Sequence, residues 1–374
     1  MSMELIDLKQ EYEATRDRVT RRVQVVLDRP RRDSGPEIAE LEARLCGWTN
    51  AAHCVTVASG TEALQLALMA LGVGPGDEVV TTPFSCTAHV DAIRLAGAVP
   101  VFADIDPATC NLDPGTIEAR LSGRTQAILP VSLYGQPADM DEINAIARRN
   151  SMFVVENAAQ SFGATYGRKH SCNLSTFGCT SFSPNKPIGG NGGGALFTND
   201  EAFALEAREL RDHLRRVREP HQEGAWHMDA LQCAMVLAKL ERYEWELAQR
   251  RRVAASYDAL FSGRIQRIGR PRDRTSTFAH YTIALDERDQ VRAALLSAGI
   301  PVSVNYPESV HTRTRYAEEG PDPCPVATRM AGMVLSLPIG AYLDPDRAHR
   351  VAQAVLRAAG VAVPASCDPA CVDP

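Results

Sequence analysis

The sequence predicts an α/β protein: a large domain with a mainly parallel β-sheet covered by helices, followed by a smaller α+β domain. Three observations carry that expectation. Short apolar runs alternate with helix-type segments between residues 55 and 156, the pattern of parallel strands buried on both faces. The residues of unusual chemistry, at 59–61, 83–87, 134 and 157–160, all follow the ends of those runs, where ligands collect in such sheets. A chain of 374 residues also exceeds what one small core organises, so a second domain is expected.

In chain order, residues 15–30 carry Val and Leu at helical spacing and end at Pro30. Pro36 opens a second helix reaching residue 47, with Ile38, Leu41 and Leu45 on one face. The β-type run 55–58 breaks at Ser59-Gly60-Thr61 into a strong helix former that stops at Gly72. Such a start offers free backbone N–H groups and a positive dipole end to an anion, or is simply an N-cap. Strands follow at 78–82, 99–103, 127–133 and 153–156, with helices at 87–96, 115–121 and 140–149 between them. A long helical pattern over 229–261 (Leu231, Met235, Leu237, Leu240, Leu247) links the two domains, which divide as 1–245 and 246–374. The second domain should hold strands at 277–285, 301–306 and 334–338, helices at 289–298 and 344–359, and a disordered tail over its last dozen residues.

Charge and composition narrow the function. The net charge of −6, from 40 basic and 46 acidic residues, lacks the basic excess of a nucleic-acid binder. No apolar stretch approaches the roughly 18 residues of a membrane span, and the first residues show no signal peptide. The ten cysteines contain no Cys-x-x-Cys pair; the closest, Cys367 and Cys371, lie in a Pro/Asp-rich tail. Reduced thiols in a cytoplasmic protein are expected, with no metal site.

The most informative stretch is Ser181-Phe182-Ser183-Pro184-Asn185-Lys186, followed by Gly189-Gly190-Asn191-Gly192-Gly193-Gly194. A lone lysine between β-like runs is usually solvated. Here Pro184 and Pro187 exclude a regular helix, and the glycines let backbone approach closely. A lysine on such a turn, partly desolvated, can lose its proton and attack a carbonyl, as a Schiff base with an aldehyde cofactor requires.

Together with this stretch, Ala58-Ser59-Gly60-Thr61-Glu62, Leu133-Tyr134-Gly135-Gln136-Pro137-Ala138-Asp139-Met140, Val155-Glu156-Asn157-Ala158-Ala159-Gln160, Thr198-Asn199-Asp200, Leu231-Gln232 and Leu335-Ser336-Leu337-Pro338 resemble the DegT/StrS family of sugar aminotransferases. Order and spacing fit from about residue 30 to residue 360. The resemblance implies a type I PLP-transferase fold with a sheet of the seven-stranded type, pyridoxal 5′-phosphate (PLP) as cofactor, and a homodimer with sites at the interface. Residue by residue it implies Lys186 as Schiff-base lysine, Gly60, Thr61 and Ser181 as phosphate cradle, and Gln160 beside the phenolic oxygen of PLP.

Four departures surround the same cofactor. Asn157 stands where the family has a carboxylate that pairs with the pyridine nitrogen, and it carries no charge. The adjacent Glu156 should point to the other side of its strand. Cys86 stands where the family stacks an aromatic ring, and Ala225 stands where an Asn reaches the neighbouring subunit's phosphate. The Gly-rich loop lacks its usual acidic residue. The resemblance therefore implies transfer of an amine from glutamate or glutamine to a keto-sugar or ketocyclitol. Two alternatives stay open: non-transaminating PLP chemistry caused by Asn157, or a weak paralogue serving as a partner subunit. His89, Tyr306 and His311 are assigned no role.

Overall fold

The computed structural model describes residues 4–5, 8–30, 35–217, 226–316 and 323–363. The apolar runs form β1 (His53–Val57), β2 (Glu78–Thr81), β3 (Val99–Phe102), β4 (Thr125–Leu129) and β5 (Phe153–Asn157). A small hairpin, β6 (Thr165–Tyr166) with β7 (Lys169–His170), precedes β8 (Phe177–Ser181) and β9 (Gly194–Thr198). Seven of these make one sheet in the order β1-β9-β8-β5-β4-β2-β3. Strand β9 is antiparallel to both β1 and β8, while β8, β5, β4, β2 and β3 run parallel pairwise. Hence β1, β2, β4, β5 and β8 all end on the same edge, and that edge carries the site.

Helices α1 (Leu8–Leu27), α2 (Pro36–Thr49), α3 (Gly60–Ala70), α4 (Ala88–Leu95), α5 (Pro114–Ile117), α6 (Met140–Arg149) and α7 (Glu201–Val217) belong to this part of the chain. Strands β2 and β9 are buried along their whole length, as a sheet covered on both faces demands. Helix α3 presses Leu66, Ala67 and Leu68, all fully buried, into that core. The long α8 (Ala230–Phe261) starts on a capping box: Gln232 N–H donates to Asp229 Oδ1 at 2.7 Å, and Asp229 N–H donates to Gln232 Oε1 at 3.2 Å.

Beyond α8 lie β10 (Gln266–Arg267), β11 (Tyr281–Ala284), α9 (Arg288–Ser297), α10 (Pro325–Met333), β12 (Val334–Leu337) and α11 (Pro345–Ala358). A second core of Tyr257, Ile283, Leu335, Leu337, Val351 and Val355 fills this part.

Several elements differ from the sequence reading. The expected strand over 301–306 is irregular: Ser303 makes a single two-bond bridge with Ser336, at 3.0 and 2.8 Å, and Tyr306 sits at φ 64°. Pro301 and Pro307 flank it, and neither can donate to a ladder. The strand expected over 277–285 shrinks to β11, because Thr277 N–H instead donates to the Gly135 carbonyl at 2.9 Å. The strand expected over 127–133 starts earlier and stops before Pro130. Helices α7 and α10 were not anticipated. For α7 the signal was Asp200, whose Oδ1 accepts from the N–H groups of Ala202 and Phe203 at 2.9 and 3.2 Å. Ala225, Cys367, Cys371 and the tail read as disordered lie outside the described residues.

Candidate active site

Strand β1 leads directly into the first wall. Ser59, extended at φ −158°, caps α3 by accepting from Glu62 N–H at 3.1 Å. That leaves the N–H groups of the first turn, Gly60 and Thr61, at the positive end of the helix with no intrahelical acceptor. Ser181, at the end of β8, faces them. A Cβ on Gly60 would lie 2.6 Å from Ser181 Cβ and 3.0 Å from its Oγ, so only glycine lets helix start and strand end close together. From the third side Gly193, at φ 94°, donates to the Ala58 carbonyl at 3.1 Å and accepts from Phe182 N–H at 2.9 Å. The Gly-rich loop thereby braces the cradle.

The seven residues singled out from sequence, Gly60, Thr61, Cys86, Asn157, Gln160, Ser181 and Lys186, all line one cavity of about 220 Å³. Lys186 N–H donates to the Ser183 carbonyl at 2.9 Å, closing the turn that carries the side chain. Burial holds the Lys186 ammonium below its usual range, and Cys86 partly offsets the effect. The amine is thus closer to the neutral, nucleophilic form than a surface lysine.

On β5 the alternation of side chains separates two neighbours. Glu156 is fully buried away from the cavity and accepts from Ser132 Oγ at 2.9 Å, Ser171 Oγ at 2.7 Å and Cys172 N–H at 2.9 Å. Burial raises its pKa, and those three bonds oppose the rise. Asn157 faces the cavity, with Oδ1 accepting from Ala159 N–H at 3.2 Å. The amide of Gln160 is committed at both ends: Oε1 accepts from Tyr134 N–H and Nε2 donates to Tyr306 Oη, each at 2.8 Å. Tyr134 is held at φ 56° by this contact, backbone strain of the kind that gathers at functional sites.

Cys86 lies on the loop after β2. Burial pushes its thiol up, but hydrogen bonding and charge from His89, together with the charge of Lys186 and the Ala88 backbone, outweigh this, so the pKa falls to about 6. The Nε2 of buried His89 faces the Thr82 carbonyl at 2.9 Å. A carbonyl only accepts, so that nitrogen carries the hydrogen. Alkylation of Cys86 by iodoacetamide in the cofactor-free protein should therefore stay fast through neutrality and slow as pH falls through about 6. His89→Gln should move the profile up toward the roughly 8.5 of a free thiol. Peptide mass spectrometry against pH tests this, and an ordinary thiol profile in the native protein would refute it.

A family model described as the DegT/DnrJ/EryC1/StrS aminotransferase family matches residues 13–356. The chain belongs to that family. It is a PLP-dependent aminotransferase with the fold of this class. A UDP-2-acetamido-2-deoxy-3-oxo-D-glucuronate aminotransferase of Pseudomonas aeruginosa is 46% identical over 348 residues, covering 91% of this chain and 96% of the relative. The crystal structure of Streptomyces venezuelae DesV superposes with a TM-score of 0.91 at 35% identity, covering 96% and 98%. A sugar aminotransferase of Streptococcus pneumoniae described as putative, in its PLP form, gives 0.85 at 25% identity, covering 92% and 96%.

The aminotransferase's cavity also recruits residues that sequence reasoning passed over. Ser85, Cys179, Thr180 and Ser183 line it, and Thr180 Oγ1 is buried without a protein partner. Thr180 neighbours Ser181 at the end of a strand, so position alone could have flagged it. Tyr306 reaches Gln160 from 146 residues away, a pairing that no local pattern announces. His311 is occupied elsewhere, with Nδ1 at 2.9 Å from Ser309 Oγ.

Proposed function

We propose that this aminotransferase moves an amino group from glutamate or glutamine to a keto-sugar, or ketocyclitol, carried on a nucleoside diphosphate, within a biosynthetic pathway such as antibiotic or deoxysugar formation. The observation that carries the reading is Lys186 standing across one cavity from a helix start opened by Gly60. The substrate class follows the relatives' names, foremost the 3-oxo-glucuronate aminotransferase at 46% identity.

The residues present fit PLP. The cradle that a Cβ on Gly60 would fill suits a phosphate, with Gly60 and Thr61 N–H and Ser181 Oγ as donors. The unpartnered Thr180 Oγ1 adds a further polar group at the cavity wall. When bound, PLP supplies a carbonyl for the lysine and a conjugated ring that delocalises electrons from the substrate carbon. Lys186 Nζ would hold the cofactor covalently at rest and, when free, would serve as the base that moves the substrate's proton. Gln160 would hold the phenolic side through its remaining N–H, Cys86 would take the ring-face position, and Asn157 would meet the ring nitrogen.

Non-transaminating chemistry and a partner-subunit role are not favoured. Lys186 keeps a depressed ammonium inside the cavity, and the Pseudomonas aeruginosa and Streptococcus pneumoniae proteins cited above are aminotransferases by name. We further propose division of the chain near residue 245, supported by the separate core beginning at Val253, and a cytoplasmic homodimer. For the cytoplasm, Cys46, Cys54, Cys86, Cys110, Cys172, Cys179 and Cys233 are free thiols, and among the described residues no helix is long and apolar enough to cross a membrane.

Loading with PLP and adding L-glutamate should produce a pyridoxamine band at roughly 330 nm, which a UDP-linked 3-keto-sugar should reverse. Failure of both glutamate and glutamine to produce it would overturn the donor assignment. Failure of keto-sugars to reverse it would overturn the acceptor class.

A further inference from the structure

The cavity offers the cofactor's ring nitrogen an uncharged amide, and the direction of that amide is fixed by the protein. Asn157 Oδ1 accepts from Ala159 N–H at 3.2 Å. Turning the amide over would set its NH2 against that N–H, two donors face to face, so the orientation follows from the hydrogen bond itself. The side chain is 6% exposed and its remaining open side is the cavity. What Asn157 presents there is therefore an N–H donor.

A pyridine nitrogen accepts a hydrogen bond when neutral and donates one when protonated. Facing an N–H, only the neutral form is satisfied, and the protonated form would leave two buried donors opposed. Nothing else on the walls reverses this preference. No Asp or Glu lines the cavity among the described residues. The nearest carboxylate along the strand, Glu156, points away with three hydrogen bonds already made. Lys186 adds positive character that disfavours a second cation. Cys179 is fully buried, with its thiol pushed well up and hence uncharged; Cys86 is largely a thiolate at neutrality, but it sits on the loop after β2 rather than on β5, with its charge set against Lys186 and His89.

We infer that Asn157 binds the ring nitrogen of PLP as a hydrogen-bond donor, so that this enzyme carries out transamination with an unprotonated pyridine. The inference rests on the assignment of PLP to this cavity. Its consequence is a weaker electron sink, which places more of the burden of proton removal on Lys186.

The ring-nitrogen chemical shift of enzyme loaded with 15N-labelled PLP reads the protonation state without reference to turnover. The native holoenzyme should give the resonance of a neutral pyridine, and Asn157→Asp should move it strongly upfield to the pyridinium position. A pyridinium signal in the native enzyme would overturn the inference, and that measurement needs no variant. A neutral signal that Asn157→Asp leaves unmoved in a PLP-loaded, folded protein would overturn the role given to residue 157. Borohydride reduction followed by peptide mapping separates the two levels: no cofactor mass on the Lys186 peptide would mean that PLP is not held in this cavity at all.

Discussion

Replacing Lys186 by alanine is expected to lower the transamination rate by at least roughly a hundred- to ten-thousand-fold, the span associated with one positioned acid–base group. It should also abolish the borohydride-stable attachment of PLP. On the proposed assignment one amine has two roles, covalent anchoring at rest and proton transfer during the reaction, and the other nucleophile in the cavity, Cys86, carries sulfur and cannot form an imine. Structure should survive the change. Burial holds the Lys186 ammonium below its ordinary pKa, so the unfolded chain binds that proton more tightly than the folded one. The sign follows: the charged lysine costs stability at every pH below its folded pKa, and the cost disappears above the unfolded value of 10.5. At neutral pH the alanine variant should melt no lower than the native protein. Cys86 should lose part of the positive field that depresses it, shifting its alkylation profile upward. Single-turnover spectroscopy with glutamate, a melting curve and the alkylation profile together test the argument. Near-native turnover in Lys186→Ala would sink the assignment of the lysine.

The fold was legible where burial leaves a periodic record. Parallel strands covered on both faces must be apolar throughout, so β1 to β5 stand out as short apolar runs, and their helices announce themselves through Pro36, Ser59 and Asp229. The cavity was legible for a related reason. Five strand ends share one edge of the sheet, so residues far apart in sequence, such as Gly60 and Lys186, are gathered by topology alone. Legibility failed where tertiary contacts override local preference. Val302 and Val304 have strand propensity, yet two prolines and a left-handed Tyr306 end the pairing after one bridge. Thr277 is spent on Gly135 and Gln160, and His280 N–H on the Tyr134 carbonyl, rather than on a strand neighbour. Tyr306 joins Gln160 through a loop whose path depends on the second core, so its place beside the cavity could not be read from its neighbours. The departures at Asn157 and Cys86 were visible as letters. Their meaning needed geometry: the Ala159 N–H that orients one, and the His89 ring that lowers the other.

The largest loss of stability from a single methyl group is expected at Gly178, the second residue of β8. Gly178 pairs with Glu156 on one side and Phe197 on the other. A Cβ there would fall onto the backbone carbonyl and Cα of Cys172. Backbone cannot swing aside as a long side chain does, and Cys172 is already held at φ 74°. Relief requires moving Cys172, whose N–H donates to Glu156 Oε2 at 2.9 Å, so overpacking and an under-bonded buried carboxylate arise together. Their sum is about 3 kcal/mol or more. Gly123→Ala, where a Cβ meets nothing within 4 Å, should stay within about 0.5 kcal/mol of the native protein. Part of the Gly178→Ala deficit should also depend on pH. Burial already raises the Glu156 pKa, and losing the Cys172 bond raises it further. A raised carboxyl costs stability above its folded pKa, and the cost vanishes below the unfolded value of 4.5. The gap between native and variant should therefore narrow as pH falls toward that value. Denaturant titrations at neutral and mildly acidic pH test both parts. A deficit that ignores pH would assign the whole effect to the clash, and no deficit would mean that β8 and Cys172 separate freely. Since β8 carries Ser181 and the turn to Lys186, the same substitution should weaken PLP binding even where the protein stays folded. The hidden contact at Gly178, on the far side of the sheet from Ser181, is thus one of the supports on which the placement of Lys186 depends.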